Sequence, residues 1–454
     1  MSKGRQTLLA CALVPALLLP GCAGPNLKGR DDIPLPAANV SPGGKTPQAG
    51  DSQERQPDAK QPDAKQPDSK QPDAHPTETG ARKPDEGGPQ ADQPHAGSPT
   101  TDQPGTESRQ PGETGPASDR PGSAAADTQE LAVYRGPVEH IFFHPLIAYP
   151  TLAFDGDAMD KGYRDWFVTV PEFERIVESL YRNQYILIDI RDLYEERVEN
   201  GRRHLVKKEL RLPKNKKPLI ISIDDMNYYD YMRKNGNVHK LVLDGDGNVA
   251  AYSRTPEGNE SIAYNNEIVP ILDAFVRAHP DFSFRGAKGM IALTGYEGVL
   301  GYRTQDAASP HYESEKREAL KVIARLKETG WSFASHGYGH RDAQRISYNS
   351  LVEDTLRWKR EVEPLTGPTP VYVYPYGSRV ETNSDKYAFL VRSGFAVLCG
   401  VGPAPYLKFT GEAVMMDRRH IDGIALEQQG ERLAHMFDSR QVIDAERYRT
   451  AAKP

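Results

Sequence analysis

The chain has 454 residues, 37% hydrophobic and 26% charged, with a formal net charge of -6 at pH 7. That length allows two or three ordinary domains, and the acidic balance argues against nucleic acid as a partner. The apolar residues, however, are spread very unevenly.

Residues 1–22, MSKGRQTLLACALVPALLLPGC, place Lys3 and Arg5 before an apolar stretch from Thr7 to Leu19, with Gly21 before Cys22. This is the layout of an export signal, and the stretch is short for a membrane span of about 20 apolar residues. "LPGC" resembles a bacterial lipoprotein cleavage box, which implies lipid attachment at Cys22; plain secretion and an uncleaved anchor are the alternatives. After cleavage only Cys22 and Cys399 would remain, so no intrachain disulfide framework is available.

No Phe, Trp or Tyr occurs before Tyr134, and residues 23–130 are rich in Pro, Gly, Asp and Gln. Such a segment cannot bury enough surface to offset chain entropy and is expected to be a disordered linker. Within it QPDAK, QPDAK, QPDSK and QPDAH follow one another over residues 56–75, an extended and solvated spacer. As a flexible coil the linker spans roughly 60 Å.

The remainder, 131–454, is globular in composition. "HIFFHPLI" (140–147) reads as a buried strand. "TVPEFERIVESLYRN" (169–183) reads as a helix, with Thr169 and Glu172 spaced as a capping box and Pro171 in the first turn. "YILIDI" (185–190) and "PLIISID" (218–224) are further buried strands. "HKLVLDGDGNVAAYSR" (239–254) reads as an inserted β-hairpin. Helices at about 264–278, 312–329, 350–363 and 384–393 then alternate with strands at 289–294, 331–335, 370–377 and 395–400. This rhythm predicts an α/β fold with a parallel sheet, barrel or doubly wound, whose ligands gather at the C-terminal strand ends.

Polar residues cluster at three of those ends. Asp224 and Asp225 end one strand, His336 and His340 in "SHGYGH" follow another, and Tyr374, Pro375, Tyr376 and Gly377 follow a third. His-x-x-x-His spacing puts two imidazoles on one side of a turn, close enough for one divalent ion. One aspartate can supply a third ligand, and the cation offsets the repulsion of the pair. Singly, an Asp pair reads as a helix cap or turn and a His pair as surface or packing; together, in this order, they are far more specific.

"SIDDM", "SHGYGH" and "YPYG" resemble the first three motifs of the polysaccharide deacetylase family, the carbohydrate esterases with a NodB-type domain, over roughly residues 138–425. The resemblance implies a distorted (β/α) barrel, with Asp224 as general base and Asp225, His336 and His340 as ligands of one divalent metal, usually Zn, sometimes Co, Ni or Fe. It implies an oxyanion held by the metal and the backbone N–H of Tyr376, beside Pro375, and a histidine acid near the last strand, for which His420 stands in "DRRHIDG"; a structural histidine is the alternative there. Met226 departs from the usual Gly, Gly337 from Ser or Thr, and Val373 from the Arg that orients the base in many members. The fourth motif has no convincing match.

Several residues are set apart from this reading. His144 could face the mouth of the site or be a satisfied strand-end histidine. "FDGDAMD" and "DGDGN" look calcium-like but read better as turns, the second having Val249 and Thr255 where an EF-hand needs Gly and Glu. Tyr296 and Tyr302 are placed to stack on sugar rings, or to pack in their loop. The reading is an exported, lipid-anchored, monomeric, metal-dependent enzyme facing the cell wall, which removes N-acetyl groups from an envelope or extracellular glycan. A catalytically weak glycan-binding protein and an O-acetyl esterase are its rivals.

Overall fold

The computed structural model describes residues 130–448. The leader, Cys22 and the QPDAK repeats lie outside the described residues. Among the described residues no helix is long and apolar enough to cross a membrane.

Seven parallel strands close into a barrel: β1 (Glu139–Phe143), β2 (Lys217–Asp224), β3 (Met290–Leu293), β4 (Ser332–Ser335), β5 (Val371–Val373), β6 (Val397–Val401) and β7 (Val414–His420). Each pairs with its neighbour in chain order. The ring closes where Arg419 and His420 of β7 meet Ile141 and Phe142 of β1. The distortion lies at the β2–β3 seam. Those strands pair only from Ser222 to Asp224, and the start of β2 pairs instead with a short strand, Tyr185–Leu187.

The strands are apolar on both faces because both faces are covered. Ile220, Met290, Ala292, Ala334, Val371, Val373, Val397, Cys399, Val414 and Met416 share one buried cluster inside the barrel. Their alternates Leu219, Ile221, Ile223, Ile291, Leu293 and Phe333 pack outward against the helices. Cys399 is thus a fully buried small side chain of the interior.

Five of the covering helices are α1 (Val170–Arg182), α2 (Ile268–Ala278), α3 (Tyr312–Glu328), α4 (Tyr348–Glu361) and α5 (Asp385–Arg392); a short α6 (Gly423–Gln428) follows β7. The capping box on α1 is present: Glu172 N–H donates to the Thr169 hydroxyl, and Thr169 N–H to the Glu172 carboxylate. The same carboxylate also receives Asp444 N–H and the guanidinium of Arg447, Nε at 2.8 Å and Nη2 at 2.5 Å. Both side chains of this ion pair are fully buried.

Three elements go beyond the sequence pattern. Strand Leu131–Val133 pairs antiparallel with Arg211–Pro213, and Tyr194–Glu199 forms a hairpin with Arg202–Lys207. Leu193, Leu205, Leu210 and Leu212 of this region join the interior cluster, closing the barrel at its N-terminal end. The insertion contains the expected hairpin, Lys240–Leu243 with Val249–Arg254, and a third strand, Glu260–Ala263. Through Leu241, Val249 and Ala251 it joins the outer core along with residues of α2 and α3.

Glu267 caps α2 from a fully buried position, its Oε1 accepting from Ile268 N–H at 2.7 Å and from Leu146 N–H at 3.3 Å. Burial pushes its carboxyl up to about 7. The folded protein therefore holds this proton more tightly than the unfolded chain, so stability falls as pH rises from about 4.5 to about 7. The loss from this one group is about 3 kcal/mol at most. Glu267→Gln keeps the acceptor and removes the titration; denaturant unfolding at pH 5 and pH 8 should show a smaller loss in the variant than in the parent chain.

Candidate active site

The two aspartates at the end of β2 leave the strand in different directions. Asp224 continues the inward alternation of Ile220 and Ser222, whereas Asp225 has φ +58°, a left-handed backbone that L residues seldom adopt. His340 at +50° and Tyr376 at +58° share this conformation. Three strained residues at one barrel mouth are the pattern expected of a functional site.

Asp224 is 2% exposed and lies against Arg418 of β7, itself 1% exposed. The guanidinium binds both carboxylate oxygens, Nη1 to Oδ1 at 2.6 Å and Nη2 to Oδ2 at 2.9 Å. Its carbon sits 4.2 Å from the ring centroid of Phe142, and Nη1 also donates to Ser222 Oγ at 3.2 Å. Burial alone would raise the Asp224 carboxyl, but Arg418 and then His336 outweigh it and hold it at about 2. Asp224 is therefore ionised and fixed, with further lone pairs still free to accept a proton.

Val373 lacks the expected arginine, and the guanidinium on Asp224 comes instead from Arg418 on another strand, a residue the motif spacing does not reveal. The signal was there in "MMDRRH", where a strand-spaced arginine two residues before His420 must share its face.

Asp225, His336 and His340 converge, with one ligand atom from each lying within 4.8 Å of the others. His340 Nε2 is 3.7 Å from Asp225 Oδ2, and His336 Nε2 is 3.7 Å from Asp224 Oδ2. His336 Nδ1 lies 3.0 Å from the Val373 carbonyl, so Nδ1–H donates there and Nε2 keeps its lone pair for the site. Burial depresses His340 to about 4, leaving it neutral. Two imidazole nitrogens and one carboxylate fit a divalent cation such as Zn.

The loop that carries both histidines is held from α4. Gly337 has φ +66°, and a Cβ there would lie 2.8 Å from Asp354 Oδ2. Asp354 is 5% exposed and accepts Tyr338 N–H at 2.7 Å and Gly339 N–H at 2.8 Å. The Tyr338 carbonyl in turn receives the amides of Gly295 and Tyr296 after β3. A carboxylate thus does here what the absent Ser or Thr hydroxyl would do, and glycine is the residue that leaves it room.

Pro375 and Tyr376 form a 3-10 turn after β5, and the Tyr376 ring, 56% exposed, lies 4.6 Å from that of His340. Tyr296 is 36% exposed beside the same mouth and stacks on Tyr229 at 4.8 Å. Tyr302 does not join them. It is 4% exposed within the main core, so neither ring face is open to a sugar; the sharp turn at Val299–Tyr302 folds it inward.

His420 ends β7 with its Nδ1 2.7 Å from Asp422 Oδ2, and Asp422 is the N-cap of α6. Burial would lower its pKa, but Asp422 and then the Gln429 side chain prevail and raise it, so its partners lie toward α6. His144 follows β1, its ring edge-on to that of Phe142 at 6.0 Å, and Phe142 also lies under the Arg418 guanidinium. His144 Nδ1 lies 3.1 Å from the Trp166 carbonyl, which leaves Nε2 as the remaining polar atom of the ring.

Residues 307–392 match the family model described as polysaccharide deacetylase. The match covers the His-x-x-x-His and Pro-Tyr-Gly segments and stops short of the Asp pair. No curated protein matches the sequence. Among solved structures the chain is similar to a Streptococcus pyogenes deacetylase, PplD, crystallised with acetate, at 13% identity and a TM-score of 0.34 over 63% of this chain and 93% of that one. It is similar also to a de-N-acetylase from Aggregatibacter actinomycetemcomitans, at 13% identity and a TM-score of 0.39 over 66% of this chain and all of that one.

Asp354→Ala strips two loop amides of their acceptor. It should cost about 1–3 kcal/mol in thermal unfolding and weaken the binding of an added divalent cation about tenfold in a chelator competition.

Proposed function

We propose that this chain is a metal-dependent deacetylase that hydrolyses N-acetyl groups on a cell-envelope or extracellular polysaccharide. The observation that carries the reading is an ionised, arginine-held Asp224 directly beside the converging Asp225, His336 and His340. A carboxylate fixed next to a three-ligand cation site is the pairing that amide hydrolysis by water requires.

A cation held by Asp225, His336 and His340 supplies a Lewis acid for the acetyl carbonyl and makes water more acidic. Asp224 takes a proton from the attacking water, and Arg418 keeps the carboxylate aimed and charged while it does so. The backbone N–H of Tyr376 donates to the oxyanion as the carbonyl becomes tetrahedral. The C–O bond to water forms, the C–N bond breaks, and the leaving amine takes a proton from an acid. We assign that last role to His144, whose Nε2 is left for the site once Nδ1 meets the Trp166 carbonyl, whereas His420 is engaged by Asp422 and Gln429 toward α6. Tyr296 and Tyr376 offer exposed ring faces to the sugar.

Export and lipid attachment at Cys22 complete the proposal. Together they would place the domain at the outer face of the bacterial membrane, as a monomer within reach of the wall polymer. The rival reading of a glycan-binding protein without turnover loses much of its motive, because Arg418 and Asp354 stand in for two of the three departures.

The test is acetate release from N-acetylated cell-wall glycan by the zinc-loaded chain. Asp224→Asn should lower turnover at least about 1,000-fold with zinc content unchanged, and His336→Ala should lose both zinc and turnover. Zinc bound without release from any N-acetylated polymer would favour the binding-protein reading, and release confined to O-acetylated polymer would favour the esterase.

The proton donor separates in the same assay. His144→Gln should lower kcat about 100-fold or more, whereas His420→Gln should change kcat by less than about tenfold.

A further inference from the structure

Asp225 has two equivalent oxygens, and the geometry of the site makes different use of them. Oδ2 is the atom 3.7 Å from His340 Nε2. Oδ1 receives the hydroxyl of Tyr229, four residues further along the chain, at 2.6 Å. The Tyr229 oxygen also lies 2.6 Å from Thr294 Oγ1. A phenol has one proton and an ionised carboxylate only accepts, so the Thr294 hydroxyl must be the donor in that second bond. The result is a directed relay, Thr294 to Tyr229 to Asp225, in which each bond polarises the next.

Both ends of the relay are held. Thr294 is fully buried and clamped by Asn227, which accepts its N–H at 3.2 Å and donates to its carbonyl at 3.0 Å. The Tyr229 ring is 2% exposed and is covered by Tyr296, stacked at 4.8 Å with planes 23° apart. Neither rotation of the phenol nor bulk water competes with its bond to Asp225.

Resting on the reading of Asp225, His336 and His340 as metal ligands, we infer that Tyr229 is a positioning residue which engages Oδ1 of Asp225, so that this aspartate offers the ion Oδ2 alone. One oxygen in place of two lowers the number of protein donors and keeps the side of the site facing Asp224 open for water and the acetyl carbonyl. It also links the metal ligand to the mouth, since the ring that covers Tyr229 belongs to Tyr296, which is partly exposed there.

The test uses the full chain with Tyr229→Phe, which keeps the stacked ring and removes one oxygen atom. The readouts are zinc affinity by chelator competition and the visible absorption of the Co(II)-loaded protein, which reports the number of donors. The expected result is a rise in zinc Kd of about 10–100-fold, because Asp225 loses the partner that orients it, and a weaker Co(II) band, because a freed Oδ1 adds a donor. Thr294→Val, which removes the proton feeding Tyr229, should shift Kd a few-fold in the same direction and serves if the first variant fails to fold. Unchanged Kd and Co(II) spectrum in a folded Tyr229→Phe would overturn the assignment and leave the hydroxyl a structural contact. Absence of zinc binding in the parent chain would overturn the metal reading itself, an outcome distinct from loss in the variant alone.

Discussion

Two neighbouring carboxylates cannot stay ionised in a dry barrel mouth unless each finds its own compensation. The left-handed backbone of Asp225 makes this possible, because it breaks the strand alternation and sends the two side chains to different partners. Asp224 goes inward to Arg418 of β7, the strand on the far side of β1. Asp225 goes to Tyr229 and toward the histidines. The barrel is therefore more than a scaffold for the site: its curvature is what brings an arginine two strands away in the closed ring onto the carboxylate. In an open sheet with the same chain order those strands would be far apart.

The same logic accounts for the departures from the motifs. Each motif records a physical task, and a task can be met from elsewhere in the fold. Val373 frees the arginine's usual place, and Arg418 reaches Asp224 from β7. Gly337 removes a hydroxyl, and Asp354 reaches the loop amides from α4. Met226, fully buried in the main core, exchanges a flexible turn residue for packing. Judging activity from motif letters alone would have counted all three as losses.

What could be read from the sequence depended on whether the information was local. The capping box of α1, the strand ends carrying Asp224, Asp225, His336 and His340, and the alternation of strand and helix follow from spacing along the chain, and all are present. Arg418 was missed because its partner lies nearly two hundred residues away and its strand, VMMDRRH, mixes charges into what reads as a surface segment. The strands Leu131–Val133 and Arg211–Pro213 are short and only partly buried, so neither shows a period by itself. Tyr302 was misplaced because a turn between Val299 and Tyr302 reverses which side of the loop faces the solvent, and nothing in "GVLGYRT" specifies that sense. The choice between His144 and His420 hinges on which ring faces the carboxylates, a matter of packing rather than of pattern.

The buried pair of Glu172 and Arg447 ties the first large helix of the barrel to nearly the last described residue, and the β7–β1 seam joins the same two regions. A polypeptide made from its N-terminus onward thus carries an open ring, an exposed first strand and an unneutralised carboxylate until almost the whole domain is available. Folding of this domain is consequently a late and concerted event, slow for its size because its decisive contacts span so much chain. A chain cut short of β7 and Arg447 would lack both the strand that closes the ring and the cation that neutralises Glu172.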